Sequence, residues 1–311
     1  MPANQGFDDF VGLGYGDGDH FTHIDRLGNE DWWHNDILKK EDGYSVDLIT
    51  DHSVDFIKNN RDMPFFLYVS HLAIHFPWQA PDDPPQRELG KDYRSDKWGI
   101  IPDRDNVRPH VKGMIEAVDT GVGKIMATLK ELDLEKNTLV IFTSDNGGYI
   151  EYKSGGFKNI SSNGSLRGQK GTVYEGGHRV PFIAYWPQKV PAGKVSNETV
   201  MTMDIYPSII ELINGATKVE KKFDGKNVLP ILLENRDIPE RTVYWKIRDN
   251  KAVRKGVWKL VIIGQNEPQL YNLSIDIGES VDLSGNNPSI VKKMTKQYNK
   301  WEKDVTANYG I

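Results

Sequence analysis

The sequence predicts an α/β fold, in which helices and strands alternate, followed by a smaller α+β region built on an antiparallel sheet. A helical apolar stripe over residues 111–132 leads directly into an apolar run at 138–143, which is the helix-then-strand order of α/β proteins. Beyond residue 240, short strand-like runs follow one another with turn residues between them, which is typical of an antiparallel sheet.

The first third of the chain predicts a loop region, two helices and one strand. Residues 1–40 are rich in Gly, Asp, His and aromatic residues without periodicity, which indicates a long ordered loop region. Apolar spacing over 44–57 predicts a helix that ends near Asn59. An apolar run at 64–70 predicts a strand, and apolar residues at steps of three and four over 111–132 predict the best-defined helix.

The run from Thr138 to Thr143 predicts a strand buried on both faces, because most of its residues are apolar and β-branched or aromatic. The strand leads into Ser-Asp-Asn-Gly-Gly at 144–148, where glycine permits a sharp turn. Open α/β sheets bind ligands at the carboxyl ends of their strands. Asp145 and Asn146 would there offer hard oxygen donors, the type that Ca²⁺ and Mg²⁺ prefer. Taken alone, such a segment is more often an ordinary strand-to-turn junction.

The remaining elements complete the predicted order. A helix is predicted over 202–214, with Pro207 in its first turns and Gly215 as a stop signal. A polar stretch around 234–240 reads as a linker, so we predict domains at 1–233 and 234–311. The second domain is predicted to contain strands at 242–247, 251–254 and 258–263. A final helix is predicted at 290–301.

Composition excludes several classes of function. With 39 basic and 44 acidic residues and a net charge of -5, the chain shows no bulk electrostatic preference for nucleic acid. The absence of cysteine excludes disulfides, thiolate metal sites and a cysteine nucleophile. No apolar run is long enough to cross a bilayer, and the first residues do not read as a signal peptide. We therefore expect neither nucleic acid nor a membrane as partner.

Three blocks in order carry a family resemblance. Ser-Asp-Asn-Gly-Gly at 144–148 is followed by Arg-Gly-Gln-Lys at 167–170 and by Glu-Gly-Gly-His-Arg-Val-Pro at 175–181. Together they resemble the sulfatase family of the alkaline-phosphatase superfamily, and the segments 252–260 and 269–273 resemble its C-terminal subdomain. The resemblance implies an alkaline-phosphatase-like central mixed sheet flanked by helices, incomplete on its N-terminal side, with an antiparallel C-terminal subdomain.

The resemblance assigns roles to individual residues. Asp145 and Asn146 match metal ligands, for calcium or for magnesium in its place. Lys170 matches a lysine that binds sulfate, and His75 matches a histidine that protonates the leaving oxygen. Apart from the resemblance, Trp78 with Trp32, Trp33 and His34 is a candidate surface for stacking a sugar ring. Without the resemblance, each residue has a structural interpretation. Lys170 would be a solvated surface lysine, and His75 a histidine hydrogen-bonded in a loop. Trp78, Trp32, Trp33 and His34 would be core aromatics. Four other polar residues are interpreted as structural: His71, Arg167, Glu175 and Arg179.

Other family features have no match. The family nucleophile is a formylglycine made from the first residue of Cys/Ser-x-Pro/Ala-x-Arg, and no Cys or suitably placed Ser occurs here. Also unmatched are the pair of adjacent aspartates near the family's N-terminus, which supply the other calcium ligands, and a Gly-Lys-Trp-His type segment, so the chain resembles the latter two-thirds of a sulfatase. The formylglycine would then come from a missing N-terminal segment. Calcium takes six to eight ligands, and because Asp145 and Asn146 supply only part of them, the calcium affinity of this chain should be poor.

The resemblance predicts a sulfuric ester hydrolase, inactive alone, that acts on a sulfated carbohydrate or aryl sulfate in the periplasm or outside the cell. An N-terminal sulfatase fragment or a second copy of the chain is the expected protein partner. Two alternatives remain open. One is a non-catalytic remnant or pseudoenzyme that binds sulfated glycans, and the other is a phosphodiester or phosphonate hydrolase of the same superfamily.

Overall fold

The computed structural model describes residues 1–98, 106–213 and 223–307. The chain forms two compact units, Met1–Thr138 with Ile150–Ser161 and Leu139–Tyr149 with Ser162–Ile311. The predicted domain boundary at 233/234 falls inside the second unit and stays a prediction. Across the described ranges, none of the helices has the length and apolar character needed to span a membrane.

The first unit combines a small antiparallel sheet with two packed helices. Its elements are β1 (Val11–Leu13), β2 (Trp32–His34), β3 (Ile37–Leu38), α1 (Ser45–Asn59) and α2 (Arg108–Glu131). The strands pair in the order β1-β2-β3. Both predicted helices are confirmed, and they approach closely at Gly121, where a Cβ would lie 2.4 Å from Oγ1 of Thr50. Glycine at this helix contact therefore lets the two apolar stripes pack.

The predicted loop region at 1–40 is largely irregular, and buried carboxylates order it. Asp17 is fully buried and forms an ion pair with Arg87 at 2.6 Å. Asp19 accepts backbone hydrogen bonds from Phe21 and Thr22 through Oδ1, and from Arg87 through Oδ2. These charge-assisted hydrogen bonds replace the missing secondary structure as the source of order.

The strand predicted at 64–70 does not form. The segment has no assigned strand geometry, and none of the described strands pairs with it. Phe66 and Tyr68 are 59% and 69% exposed. The run of apolar residues is present, but a strand needs a neighbouring strand to complete its backbone hydrogen bonds. Whether such a neighbour exists cannot be read from the local sequence.

The second unit holds two sheets. Its elements are β4 (Val140–Thr143), α3 (Glu175–His178), β5 (Phe182–Tyr185), α4 (Ile205–Leu212), α5 (Leu229–Glu234), β6 (Thr242–Ile247), β7 (Asn250–Lys255), β8 (Trp258–Ile262), β9 (Gln269–Asn272) and α6 (Pro288–Ala307). β4 pairs antiparallel with β5, with Val140 opposite Tyr185 and Thr143 opposite Phe182. The prediction that β4 is buried on both faces is wrong, because Phe142 is 41% exposed.

The C-terminal antiparallel sheet is confirmed, with the strand order β6-β7-β8-β9. One of its faces packs on α6 through a core that contains Val253, Leu260 and Tyr298. The helix predicted over 202–214 begins as a 3-10 turn and continues as α4, with Pro207 in its first turn. Gly215, the predicted stop signal, lies outside the described residues.

Candidate active site

The loop after β4 is built on a backbone contact that only glycine allows. A Cβ on Gly147 would lie 1.8 Å from the carbonyl oxygen of Gly176, far inside van der Waals contact. Its own N–H donates to the carbonyl oxygen of Gly177 at 3.1 Å. The sequence blocks 144–148 and 175–181 therefore meet through their backbones, which explains why both are rich in glycine.

Asn163 holds three loops together. Its Nδ2 donates to the carbonyl oxygens of Gly148, Gly168 and Gly176 at 3.0, 3.0 and 3.1 Å. Its Oδ1 accepts from the N–H of Gly148 at 3.1 Å. The sequence analysis missed this residue, although an asparagine inside a glycine-rich stretch is a recognisable signal for such a bridging role.

Asp145 and Asn146 lie at the end of β4 with their oxygens available. Asp145 is exposed, and within the described ranges no hydrogen bond or ion pair engages its carboxylate. The amide nitrogen of Asn146 donates to the carbonyl oxygen of Gly147 at 3.2 Å, which leaves its amide oxygen as the free acceptor. A carboxylate and an amide oxygen on adjacent residues suit a hard divalent cation, so the donors fit the predicted metal.

Lys170 belongs to the same loop cluster. Its backbone N–H donates to the carbonyl oxygen of Gly148 at 3.3 Å, two residues beyond Asn146. Its ammonium lies 5.6 Å from the ring centre of Tyr149, and no carboxylate of the described chain pairs with it. The structure therefore brings Asp145, Asn146 and Lys170 into one set of loops and leaves a positive charge available for an anion.

A fully buried charge network supports these loops, and the sequence analysis identified only one of its members. Nζ of Lys259 on β8 lies 2.8 Å from Glu175 and 2.9 Å from Glu279, and all three side chains are inaccessible to solvent. Oε2 of Glu279 also accepts from the N–H of Glu175 at 2.7 Å. The structural role predicted for Glu175 agrees with this placement. A lysine at an inward position of an apolar strand was the available signal for Lys259.

The charge states within the network follow from burial and from the central lysine. Burial is the largest influence on the Glu175 carboxyl and raises its pKa, but the charge and hydrogen bond of Lys259 together with the charge of Arg254 outweigh it and hold the pKa below its ordinary value. For Glu279 burial dominates, and its pKa is raised. Burial, together with the charge of Lys259, lowers the pKa of His178 to about 3. His178 is therefore neutral and lies 3.2 Å from the Lys259 ammonium as an acceptor.

Arg167 and Arg179 brace the loop cluster, as predicted. Arg167 donates to the carbonyl oxygen of Glu279 at 2.7 Å and to the hydroxyl of Tyr271 at 3.1 Å. Arg179 lies 3.4 Å from Glu175. Their guanidinium groups are engaged by protein atoms, which is what a structural role requires.

His75 lies in the first unit, whereas Asp145, Asn146 and Lys170 lie in the second. Its Nδ1 is 2.9 Å from the carbonyl oxygen of Phe76, an acceptor that fixes the proton on Nδ1 in the neutral ring. Nearby His71 is half-buried with both ring nitrogens shielded from solvent, and this burial lowers its pKa to about 4 and keeps it neutral. This state is consistent with the structural role predicted for His71.

Trp78 does not present a stacking surface. It is 2% exposed and packs edge-on against Phe76 and Phe157 with ring centres 6.0 and 5.0 Å apart. Trp32 is equally buried. The core interpretation of these aromatics is therefore favoured, because an indole enclosed by other rings has no face left for a sugar, and the candidate site does not include Trp78.

Family models match nearly all of the chain. A model described as Sulfatase matches residues 1–216, and one described as N-sulphoglucosamine sulphohydrolase, C-terminal, matches residues 168–304. An arylsulfatase of Hemicentrotus pulcherrimus is 34% identical over 68% of this chain and 34% of its own length. An N-acetylgalactosamine-6-O-sulfatase of Bacteroides thetaiotaomicron is 29% identical over 88% of this chain and 53% of its own length. The chain thus spans between a third and just over half of these relatives.

Solved structures show the same fold. The crystal structure of Ps i-CgsB is 30% identical, with a TM-score of 0.79 over 97% of this chain and 67% of that chain. The same protein has been crystallised in complex with k-i-k-neocarrahexaose. A structure in complex with D-glucosamine-2-N,6-O-disulfate is 17% identical, with a TM-score of 0.72 over 98% of this chain and 78% of that chain, and supports the fold alone.

Proposed function

The chain belongs to the sulfatase family, and from that premise we propose that it forms part of an enzyme that hydrolyses sulfate esters. The observation that carries the proposal is the cluster of loops that the hydrogen bonds of Asn163 hold together. It gathers the free carboxylate of Asp145, the free amide oxygen of Asn146 and the ammonium of Lys170, which has no carboxylate partner in the described chain. Hard oxygen donors beside a free cation suit a tetrahedral oxyanion and a divalent metal.

Asp145 and Asn146 would hold calcium, or magnesium in its place. When bound, the ion would neutralise charge on the oxygens of the sulfate group. Calcium takes six to eight oxygen ligands, so two side chains account for a minority of them. We therefore expect weak calcium binding by this chain alone.

Lys170 would bind a sulfate oxygen. A lysine ammonium acts as a compact point charge and needs no fixed geometry to contact an anion. Its backbone bond to Gly148 keeps its loop beside the metal-binding pair. Its contribution would be to offset the charge that develops on the departing alcohol oxygen.

His75 would donate a proton to that leaving oxygen. Because the carbonyl oxygen of Phe76 engages Nδ1, the neutral ring has no second proton to donate. His75 would therefore act as the imidazolium ion, with Nε2 as the donating atom. The carbonyl contact would orient the ring in the manner of the orienting partners of other catalytic histidines.

The residues of this sequence do not supply the family nucleophile. The family uses a formylglycine, and the sequence contains no Cys and no Ser followed by Pro or Ala and then Arg at the required spacing. We propose that an N-terminal sulfatase segment supplies this nucleophile and completes the site, that a second copy of the chain, which would bring no nucleophile, is the alternative protein partner, and that the assembly works in the periplasm or outside the cell. A sulfated carbohydrate is the proposed substrate, since one relative is named N-acetylgalactosamine-6-O-sulfatase and Ps i-CgsB has been crystallised with k-i-k-neocarrahexaose.

The test is complementation. This chain is coexpressed with the N-terminal third of a related sulfatase and a formylglycine-generating enzyme, and hydrolysis of an aryl sulfate is measured with calcium. We expect turnover that falls by at least about a hundredfold in Asp145→Ala or Lys170→Ala, as for loss of one electrostatic stabiliser. Lys189→Ala, an exposed lysine of the same unit, is the matched control. Activity that survives both site substitutions would contradict the assigned roles.

A binding-only function is the second candidate, favoured by the absence of a nucleophile from the sequence. It predicts that the purified chain binds a sulfated oligosaccharide in a Lys170-dependent manner, whereas the complemented assembly shows no turnover of aryl sulfate. A phosphonate ester serves as the comparison substrate. Preferential turnover of the phosphonate would reassign the chemistry within the superfamily.

A further inference from the structure

A second cluster of metal-ligating side chains lies in the first unit. His34 is the last residue of β2, His52 lies in α1, and Glu41 lies in the loop that leads from β3 to α1. One ligating atom from each side chain lies within 4.8 Å of the other two. No residue of this cluster takes part in the function proposed above.

The carboxylate sits between the two imidazoles. Nε2 of His34 is 2.9 Å from Oε1 of Glu41, and Nε2 of His52 is 2.7 Å from Oε2. The His52 contact has hydrogen-bond geometry, but among the described residues Nε2 of His34 makes no hydrogen bond, despite its short distance to the carboxylate. The His34 nitrogen is thus buried, close to the carboxylate and unsatisfied, which is a cost that a bound cation would remove.

The spacing suits a tetrahedral ion after a small adjustment. Zinc bonds of about 2.0–2.1 Å to nitrogen or oxygen place neighbouring ligand atoms about 3.3 Å apart in a tetrahedron. The observed separations of 2.9 and 2.7 Å run from the two histidine nitrogens to different oxygens of Glu41, so the carboxylate has to turn one oxygen towards both nitrogens and the contacts have to widen by roughly half an ångström. Side-chain rotation can supply this, because the side chains of His34, Glu41 and His52 are 24%, 19% and 33% exposed. The same exposure gives an ion access from solvent.

The surroundings orient the carboxylate without blocking it. The indole N–H of Trp32 donates to Oε2 of Glu41 at 3.2 Å, an outer-shell contact of the kind that fixes metal ligands. Lys39 lies 3.5 Å from Oε1, but its side chain is 56% exposed and can move into solvent. Two imidazoles and one carboxylate favour a borderline cation over Ca²⁺ or Mg²⁺.

We propose that His34, Glu41 and His52 bind Zn²⁺, with the fourth position filled by water. The ion would link the β2–β3 hairpin to α1 and so stabilise the first unit, because it binds the folded state and not the unfolded chain. The inference does not depend on the proposed function, since none of its ligands belongs to the sulfate-binding loops.

The experiment measures Zn²⁺ binding to the whole chain by competition with a chromophoric chelator, and the visible spectrum after Co²⁺ is substituted. We expect one equivalent of Zn²⁺, a tetrahedral Co²⁺ spectrum and a higher unfolding temperature with zinc. His34→Gln and His52→Gln should each weaken binding by at least about tenfold, the lower end of the effect known for weaker perturbations of metal sites.

Two controls isolate the site. His110→Gln removes a histidine paired with one carboxylate, Asp83, and should leave Zn²⁺ binding unchanged. Asp145→Ala should also leave it unchanged, which separates this site from the proposed calcium ligands. Circular dichroism verifies that the variants fold, and the Co²⁺ spectrum tests the native chain without substitution. Absence of stoichiometric Zn²⁺ binding, or equal affinity in all variants, would overturn the proposal.

Discussion

The two sheets of the second unit are stabilised in different ways. In the β6–β9 sheet, Val253, Leu260 and Leu270 are at most 1% exposed and pack against α6. In the β4–β5 pair, Phe142 and Ile183 are 41% and 58% exposed. The β6–β9 sheet is stabilised by the burial of its side chains. The β4–β5 pair relies on the backbone contacts of Gly147 and on the hydrogen bonds of Asn163.

This difference separates stability from the candidate chemistry. The polar residues with free oxygens and the free ammonium follow the less buried strand pair, where loops determine geometry. The buried charges of Glu175 and Lys259 connect the two regions, because Glu175 opens α3 in the loop cluster and Lys259 lies on β8. Substitutions in the β6–β9 sheet should therefore lower the free energy of unfolding, and substitutions in the loops after β4 should change the order of those loops.

The largest effect is expected for Lys259→Ala, which leaves two buried carboxylates without their shared cation. Removing one partner of a buried ion pair costs about 3–5 kcal/mol of unfolding free energy. Lys255→Ala on the neighbouring strand removes a 3.5 Å pair whose lysine side chain is 36% exposed, and should cost less than about 1 kcal/mol. Urea denaturation measures both. Equal losses would show that the buried network does not connect the two regions.

The next effect compares the two sheets directly. Leu260→Ala removes a side chain that is 1% exposed and should cost about 2–5 kcal/mol through the cavity that it leaves. Ile183→Ala truncates a side chain that is 58% exposed and should cost less than about 0.5 kcal/mol. The free energy of unfolding of each variant is the measurement. A comparable loss for Ile183→Ala would mean that the β4–β5 surface is covered in solution.

A smaller, local effect is expected for Asn163→Ala. The substitution removes the hydrogen bonds that Asn163 makes to three carbonyls and one N–H of the loop cluster, which should cost about 1–3 kcal/mol of unfolding free energy. Hydrogen exchange should accelerate at the amides of Gly148 and Gly176 and stay slow in β7 and β8. Asn197→Ala, at an exposed position, is the control. Uniform acceleration across the unit would contradict the separation of the two sheets.

The smallest effect is the pH dependence that His178 contributes. Its pKa is about 3 in the folded chain because of burial and Lys259, against an ordinary 6.5. Between these pH values the unfolded chain binds a proton that the folded chain does not, so stability is complete above pH 6.5 and falls on acidification. The slope from this one group is at most about 1.4 kcal/mol per pH unit.

The check on the pH dependence is to repeat urea denaturation from pH 7 to pH 5 with His178→Gln. This variant should show a flatter decline than the native chain. Burial also lowers the pKa of His20 and of His71 to about 4 in the first unit, so a residual slope is expected. An identical slope in both proteins would show that His178 is protonated in the folded state.

Local sequence determined a large part of this protein. The periodicity of residues 44–57 and 111–132 predicted helices that the structure confirms as Ser45–Asn59 and Arg108–Glu131, and the strands predicted after residue 240 are also confirmed. Three short blocks were enough to identify the family. Such features depend on neighbours a few residues apart, so the sequence contains all the information that they need.

Tertiary structure alone decided the pairings between distant residues. Glu175 meets Lys259 across 84 positions and Glu279 across 104, and no local pattern indicates which charges become buried together. The same holds for the burial of Trp78, for the unpaired segment at 64–70 and for the meeting of His34 with His52. A strand requires a neighbour and a buried charge requires a counter-charge. The sequence provides both groups, but only the folded chain determines which of them meet.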